Sequence, residues 1–300
     1  MLTELHYSVS IEDTSRSRSR VAAYVALTKP RIIELLLITT VPAMVLAAGG
    51  WPGTWLVAAT LVGGTLSAAG ANALNMYYDR DIDSVMRRTR TRPLVRHEVS
   101  PRNALIFGAV LGVVGFIWLW SFTNLTAPAI STAALLFYVF VYTRRLKRTT
   151  VQNIVIGGAA GAAPTLVGWA AVTGSVGVPA WVLFLIVFYW TPPHFWALAL
   201  RYRDDYAAAG VPMLPVVVGV EATTRRILLY TGLMVGVSLL LVPLGAMSWI
   251  YLVAAIGLGA WFLWDTWRVV RHPEQAMRLF TTSTVYLAAL FASVMLDVLL

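Results

Sequence analysis

Three side chains suited to metal binding recur at every fourth position of one short segment. They are Asn75, Asp79 and Asp83, within "NMYYDRDID". Positions i and i+4 share one face of a helix, so a helix here presents a single polar stripe, with Asp81 pointing elsewhere. Carboxylate and amide oxygens are ligands that Mg²⁺ accepts, and substrate phosphates commonly complete its coordination. The spacing therefore predicts a Mg²⁺ site that takes a phosphate-bearing ligand.

Basic side chains follow the stripe directly, including Arg87 and Arg88. Arginine binds phosphate oxygens through charge-assisted hydrogen bonds, so we expect both residues to bind a diphosphate. The alternative is a solvated loop in which acids and arginines pair, for example Asp83 with Arg87. The stripe begins inside an apolar segment, where acidic side chains are costly and usually functional, and this favours the binding site.

The composition shows which elements must position these residues. Of 300 residues, 58% are hydrophobic and 12% are charged, whereas soluble domains carry roughly 25% charged residues. Apolar runs of about 20 residues, the length that crosses a bilayer as a helix, recur along the chain. We therefore predict an all-α, polytopic integral membrane protein. The net charge of +9 lies in short loops between spans, which argues against nucleic acid as a partner.

Nine membrane spans are expected, with a flexible tail at residues 1–24 and one membrane domain at 25–300. The predicted spans are 31–50, 54–75, 104–122, 125–143, 151–173, 178–200, 227–247, 249–267 and 279–298. One long helix or a re-entrant piece is an alternative within 104–143 and within 227–267. Pro30 suits the first turn of the first spanning helix.

The basic residues also predict an orientation. All 23 Lys and Arg residues fall on one side of the nine spans. Because basic loops stay in the cytoplasm, the N-terminus and the longer loops are expected there, in a cell membrane, with the C-terminus outside.

The stripe resembles the first aspartate-rich motif of the UbiA superfamily of intramembrane prenyltransferases. Three further segments, "LTKPRIIELLLITTVPAM", "YTRRLKRTTVQNIVIGGAAGAAPTLVGWAAVTG" and "TPPHFWALALRYRDDYAAAGVPMLPVV", are similar to its haem O synthase family. The resemblance runs from about residue 25 to the C-terminus. It implies nine helices around a laterally open cavity. It also implies farnesyl transfer from farnesyl diphosphate to the 2-vinyl group of haem B (protohaem IX), with water addition, giving haem O and diphosphate.

The resemblance assigns roles to individual residues. Asn75, Asp79 and Asp83 would hold Mg²⁺ and act in catalysis. Lys147 and Arg148 would contact the diphosphate and assist catalysis, and Arg31 is a weaker candidate whose charge also suits a topology signal.

A second acidic motif is expected after the sixth span, where the chain reads "RYRDDYAAAG". Asp204 and Asp205 are both candidate metal ligands. Neither is followed by an acid four residues later, which departs from the pattern of quinone-forming members. The alternative is that the pair simply forms ion pairs with Arg201 or Arg203.

His194 is the one histidine within a predicted span, beside two prolines in "TPPHFW". Neutral imidazole commonly ligates haem iron, so haem binding is one interpretation. A structural hydrogen bond, which any ring inside a membrane needs, is the other. The expected protein partners are a haem A synthase or a terminal oxidase. The competing functions are a prenyltransferase for an aromatic or quinone precursor, and a haem or lipid transporter without catalysis.

Overall fold

The computed structural model describes residues 18–300, without the side chains of residues 31, 32 and 34–37. Most of the predicted tail lies outside this part of the chain, and its boundary at residue 24 falls inside the first helix. The helices are α1 (Arg20–Thr28), α2 (Pro30–Ala48), α3 (Thr54–Val85), α4 (Pro101–Phe122), α5 (Thr126–Leu136), α6 (Asn153–Thr173), α7 (Val178–Arg201), α8 (Arg203–Ala208), α9 (Leu214–Val217), α10 (Gly219–Leu239), α11 (Trp249–Arg271) and α12 (Ala276–Leu299). The all-α prediction is confirmed, since residues 18–300 contain no strand.

Local sequence accounts for where several helices begin and end. Pro30 occupies the first turn of α2, as predicted, and its missing N–H costs nothing at that position. Ser100 caps α4 by accepting a hydrogen bond from the Asn103 backbone N–H at 3.2 Å. Gly49 ends α2 at φ 61°, a left-handed conformation that glycine adopts without strain.

Seven of the described helices are long and apolar enough to cross a membrane. They are α3, α4, α5 with its continuation to Thr149, α6, α7, α11 and the segment ending in α12. The described part of α2 from Ile38 to Ala48 is a shorter apolar helix, and α10 carries Glu221, Arg225 and Arg226 in its first two turns. The count of nine spans therefore stays a prediction.

One predicted span is misplaced. The apolar pattern suggests 227–247, but α10 runs from Gly219 to Leu239 and a turn follows it. The apolar sequence continues through this turn, so hydropathy alone does not mark the end of the helix. The regions 104–143 and 227–267, for which one long helix was an alternative, each contain two separate helices. Helices α4 and α5 are divided near Thr123, and α10 and α11 are divided at 240–248.

Helix α3 positions the polar stripe. It has 32 residues, and at about 1.5 Å per residue it exceeds the roughly 30 Å hydrocarbon core. Its last turns can therefore carry charge at the membrane surface while remaining helical. Close packing holds it against α4: a Cβ added at Gly70 would lie 2.7 Å from the Gly108 carbonyl oxygen. Small residues allow this backbone approach.

Candidate functional site

A cavity of about 300 Å³ lies among α2, α3, α5, α6 and α7. One end is charged, and is lined by Lys29, Asn75, Asp79, Arg88, Arg92 and Lys147. The remaining described lining has no charged side chain and consists of apolar, aromatic, small and hydroxyl-bearing residues. Such a cavity suits a ligand with one strongly anionic end and a long apolar part.

The stripe residues Asn75, Asp79 and Asp83 are on α3, as the spacing predicts, and all three are buried. Asp79 is only 1% exposed. Asp81 points elsewhere, also as predicted, and its side chain is 61% exposed. Asn75 and Asp79 line the cavity, whereas Asp83 lies beside it.

Each buried carboxylate of the stripe has its own cation. Lys147 Nζ lies 2.5 Å from Asp79 Oδ2, and Arg92 Nη1 lies 2.6 Å from Asp83 Oδ2. A buried carboxylate without such a partner would be strongly unfavourable. The two pairs therefore let acidic side chains remain within a mostly apolar bundle.

Asn75 connects three elements around the stripe. Its Oδ1 accepts a hydrogen bond from Lys29 Nζ at 2.6 Å, and its Nδ2 donates to Asp79 Oδ2 and to Thr143 Oγ1, both at 2.9 Å. Loss of surrounding water, together with neighbouring Arg92, lowers the pKa of Lys29 well below its usual value. These bonds fix the Asn75 amide at the charged end of the cavity.

Thr143 belongs to an unusual continuation of α5. Residues Phe137–Leu146 form a π-helix, and a final helical turn follows at Lys147–Thr149. π-Helical geometry is rare and is frequent at functional sites. Here it places Thr143 against Asn75 and Lys147 against Asp79 from one element, while Tyr138 and Tyr142 line the cavity.

The donor set fits a divalent cation chemically. Asp79 Oδ1 is buried and accepts no hydrogen bond, and Arg148 Nη2 lies 3.9 Å from it, so this carboxylate oxygen can still take a further ligand. The Asn75 amide oxygen and the Asp83 carboxylate are the neighbouring candidate ligands on the same helix face, as predicted from the sequence. Among the side chains that the structure describes, however, no three acidic or histidine side chains form a metal-binding cluster. Substrate oxygens would have to complete the shell, as is usual for Mg²⁺.

The other predicted diphosphate ligands differ in position. Arg88 lines the cavity. Arg148 is outside the lining and forms a two-point ion pair with exposed Asp81, at 2.7 and 2.8 Å. The side chain of Arg87 is 78% exposed. The Arg31 side chain lies outside the described residues.

The second acidic motif divides into two different environments. Asp204 is exposed, whereas Asp205 is buried and accepts a hydrogen bond from Arg87 Nε at 2.9 Å. This hydrogen bond lowers the pKa of the Asp205 carboxyl. The expected alternatives, Arg201 and Arg203, are not its partners. Since Asp205 does not line the cavity, its assignment as a metal ligand stays a prediction.

His194 lies behind the cavity wall and does not line the cavity. Its Nδ1 is 2.7 Å from Ser283 Oγ, and its ring stacks between Trp190 and Phe280, each with ring centroids 4.2 Å away. This is the hydrogen-bonded partner expected of a structural role. The haem contact stays a prediction that this geometry does not favour.

Some site residues were not evident from sequence. Thr143 and Tyr206 were not predicted, although Thr143 precedes Lys147 by four residues, which places both on one face of a regular helix. The Arg92–Asp83 pair joins residues nine apart through a loop turn, and no regular period predicts it.

Comparisons with known proteins agree with this architecture. The model of the UbiA prenyltransferase family matches residues 36–294. The protoheme IX farnesyltransferase of Clavibacter sepedonicus is 55% identical over 283 residues, covering 93% of this chain and 92% of the relative. Protoheme IX farnesyltransferase 1 of Saccharopolyspora erythraea is 57% identical over 285 residues, covering 93% and 91%.

Solved structures share the fold at low identity. One, from work on the biosynthesis of digeranylgeranylglyceryl phosphate synthase in membranes, has a TM-score of 0.77 at 18% identity and covers 93% of this chain and 98% of that one. A UbiA homologue from Archaeoglobus fulgidus bound to GPP and Mg²⁺ has a TM-score of 0.65 at 16% identity, covering 91% and 99%. The extent of the family match and the identity to these relatives together show that this chain is a membrane-embedded enzyme of the UbiA prenyltransferase family.

Proposed function

We propose that this chain transfers the farnesyl group of farnesyl diphosphate to the 2-vinyl group of protohaem IX, with addition of water, giving haem O and diphosphate. The observation that carries the proposal is the cavity, whose basic end surrounds Asp79 and whose remaining described wall is uncharged. Farnesyl diphosphate has the same two-part character. The identity to protoheme IX farnesyltransferases supports protohaem as the acceptor.

The charged end would bind the diphosphate and assist its departure. Lys29, Arg92 and Lys147 line this end and can contact phosphate oxygens. Asn75, Asp79 and Asp83 would hold Mg²⁺. When bound, this ion acts as a Lewis acid that neutralises charge on the leaving diphosphate. Fixed positive groups aimed at developing negative charge lower the barrier to departure.

The chemical step has a defined electron balance. The bond between the first farnesyl carbon and the diphosphate oxygen breaks, and its electron pair leaves with the diphosphate. The terminal carbon of the 2-vinyl group forms the new carbon–carbon bond to the resulting allylic cation. Water then captures the cation next to the porphyrin and loses a proton. The uncharged wall holds the farnesyl chain and excludes water until the new bond has formed.

The product and the topology follow from the same proposal. We place the N-terminus and the charged end of the cavity on the cytoplasmic side of the cell membrane, with the C-terminus outside, because the basic residues concentrate on one side. Haem O carries a long apolar chain and would stay in the bilayer. It would then pass to a haem A synthase or to a terminal oxidase.

Pigment analysis by mass spectrometry tests the proposal. Membranes containing the wild-type chain or Asp79→Ala would receive protohaem, farnesyl diphosphate and Mg²⁺, with a parallel sample in EDTA. We expect haem O from the wild type in Mg²⁺ only, and none from the variant. Folded wild-type protein that makes no haem O would refute the proposal. Prenylation of an aromatic acid instead would identify the quinone-type activity, and haem uptake without release of diphosphate would identify a transporter.

A further inference from the structure

Four basic side chains line the cavity, and three of them contact the Mg²⁺ motif. Lys29 donates to Asn75, Lys147 pairs with Asp79, and Arg92 pairs with Asp83. Arg88 is different. Within the part of the chain that the structure describes, no carboxylate lies within ion-pair distance of its guanidinium. Lys29 forms no described ion pair either, but it contacts Asn75, whereas the described hydrogen bonds of Arg88 reach Asp205 and Tyr206 and none of Asn75, Asp79 and Asp83.

The contacts of Arg88 hold it on the side of the cavity formed by α7 and α8. Its Nη2 lies 3.4 Å from the Tyr206 hydroxyl, and its guanidinium carbon lies 5.7 Å from the centre of the Tyr202 ring. Its backbone N–H donates to Asp205 Oδ2 at 3.4 Å. These partners lie at the end of α7 and on α8, whereas Lys29 precedes α2 and Lys147 follows the π-helix. Arg88 is thus held on the α7–α8 side of the charged end.

The cavity wall on this side is aromatic and apolar. It includes Trp190, Phe195 and Leu198 of α7, together with Met213. Trp190 is held by a hydrogen bond from its indole Nε1 to the Ser283 carbonyl oxygen at 2.7 Å. Planar, apolar ligands bind well against such walls, with a few polar groups fixing their orientation. In this region Arg88 and Tyr206 supply the polar groups at the charged end.

We infer that Arg88 binds a propionate carboxylate of the acceptor porphyrin, and not the diphosphate of the donor. This inference rests on the proposed function. Protohaem has two anionic propionates on an otherwise apolar disc, and a guanidinium binds a carboxylate through two parallel hydrogen bonds. An anchored propionate would hold the disc against the α7 wall and orient a vinyl group toward the farnesyl carbon. Tyr206 positions the guanidinium for this contact.

Comparing protohaem with its dimethyl ester tests the inference, because the ester lacks only the propionate charges. For wild type, Arg88→Gln, Arg88→Lys and Tyr206→Phe, the KM of each acceptor and of farnesyl diphosphate would be measured from product formation. The Kd of each acceptor would be measured by optical titration without farnesyl diphosphate. Arg102→Gln is the matched control, since Arg102 is an exposed arginine in the first turn of α4 and does not line the cavity.

We expect the wild type to bind protohaem more tightly than the ester by about tenfold or more, the size of one charged hydrogen bond. Arg88→Gln should weaken protohaem binding to the level of the ester, while the ester itself and the KM of farnesyl diphosphate stay within about twofold. Arg88→Lys and Tyr206→Phe should have intermediate effects.

Two results would overturn the inference. One is a rise in the KM of farnesyl diphosphate in Arg88→Gln with an unchanged preference for protohaem over its ester, which would make Arg88 a donor ligand. The other is equal weakening of protohaem and ester. If Arg88→Gln does not fold, the same comparison in Arg88→Lys and Tyr206→Phe decides. If the wild type produces haem O, either of these results refutes the role proposed for Arg88 and leaves the proposed function intact.

Discussion

Lys147 and Arg148 are adjacent in sequence, but the structure predicts very different consequences when each is replaced by methionine. Lys147 is 14% exposed, lines the cavity and pairs with Asp79, which is 1% exposed. Arg148 is 32% exposed and pairs mainly with Asp81, which is 61% exposed. Both carry a positive charge at the same end of the protein. Burial and the identity of the partner therefore separate their effects.

The difference can be given a magnitude. Removing one fixed group that stabilises developing negative charge costs about 3–4 kcal/mol in the transition state, whereas an exposed ion pair contributes about 0–1 kcal/mol. The smallest expected gap is thus about 2 kcal/mol, and since about 1.4 kcal/mol is a factor of ten, it corresponds to roughly 30-fold. We expect Lys147→Met to lose at least about 30-fold more kcat/KM for farnesyl diphosphate than Arg148→Met.

The assay is haem O formation by purified variants in lipid nanodiscs at equal amounts of folded protein. Lys147→Arg keeps the charge and should retain more activity than Lys147→Met. The double variant Asp79→Asn, Lys147→Met should be scarcely worse than the poorer single variant, because the two residues act as a pair. Equal losses in Lys147→Met and Arg148→Met would refute the reasoning from burial.

Three further outcomes are expected. Gly70→Ala should lower the Tm in detergent, because overpacking against the α4 backbone costs about 1–3 kcal/mol. Gly232→Ala is the control, because a Cβ added there would meet nothing within 4 Å, and its Tm should be unchanged. Equal Tm values for the two variants would contradict the packing argument. The Arg87 hydrogen bond lowers the pKa of Asp205 in the folded protein. The stability that this pair contributes is therefore fully present above the ordinary carboxyl pKa of about 3.9 and is lost as pH falls through the lowered folded-state pKa. The Tm difference between wild type and Asp205→Asn should accordingly be present at pH 7 and vanish in acid, and a constant difference would exclude this pair as its cause. His194→Gln should leave the Soret band of bound haem unchanged, and a shifted band would restore His194 as an iron ligand.

The elements of the fold follow closely from local sequence signals. Two features depend only on residues close together in the chain and could be predicted from sequence. They are the position of Pro30 at the start of α2 and the four-residue spacing of Asn75, Asp79 and Asp83. The misplaced span at 227–247 shows the limit. The apolar sequence continues from the helix into the turn at 240–248, and hydropathy therefore does not show that α10 ends at Leu239.

The partners of the site residues required the three-dimensional structure. Arg87 was expected to bind diphosphate, but it pairs with Asp205, 118 positions away in the chain. Nothing in the period of either segment specifies that pairing. The same holds for Thr143, which reaches Asn75 from a π-helix whose altered period a sequence pattern does not reveal. The sequence thus predicted which residues belong to the site. It did not predict which of them line the cavity and which form supporting contacts outside it.

The charge balance of the site has a consequence for the order of binding. At the charged end, four basic side chains and the two carboxylates of Asp79 and Asp83 leave a formal charge of +2 among the side chains that the structure describes. A site with this net positive charge repels Mg²⁺ and attracts the negatively charged diphosphate.

Mg²⁺ should therefore bind weakly alone and more tightly with the diphosphate. Lys147 already neutralises Asp79 Oδ2, Arg92 neutralises Asp83 Oδ2, and Arg148 Nη2 lies 3.9 Å from Asp79 Oδ1, so the protein by itself offers few free ligands. Coupling between ligands is typically 1–3 kcal/mol, and we expect the Mg²⁺ affinity to rise by about 5-fold to 150-fold when a non-reactive farnesyl thiodiphosphate is bound. Calorimetric titrations with and without this analogue measure the change. Equal Mg²⁺ affinity in the two titrations would mean that the acidic stripe is a complete metal site before the substrate arrives.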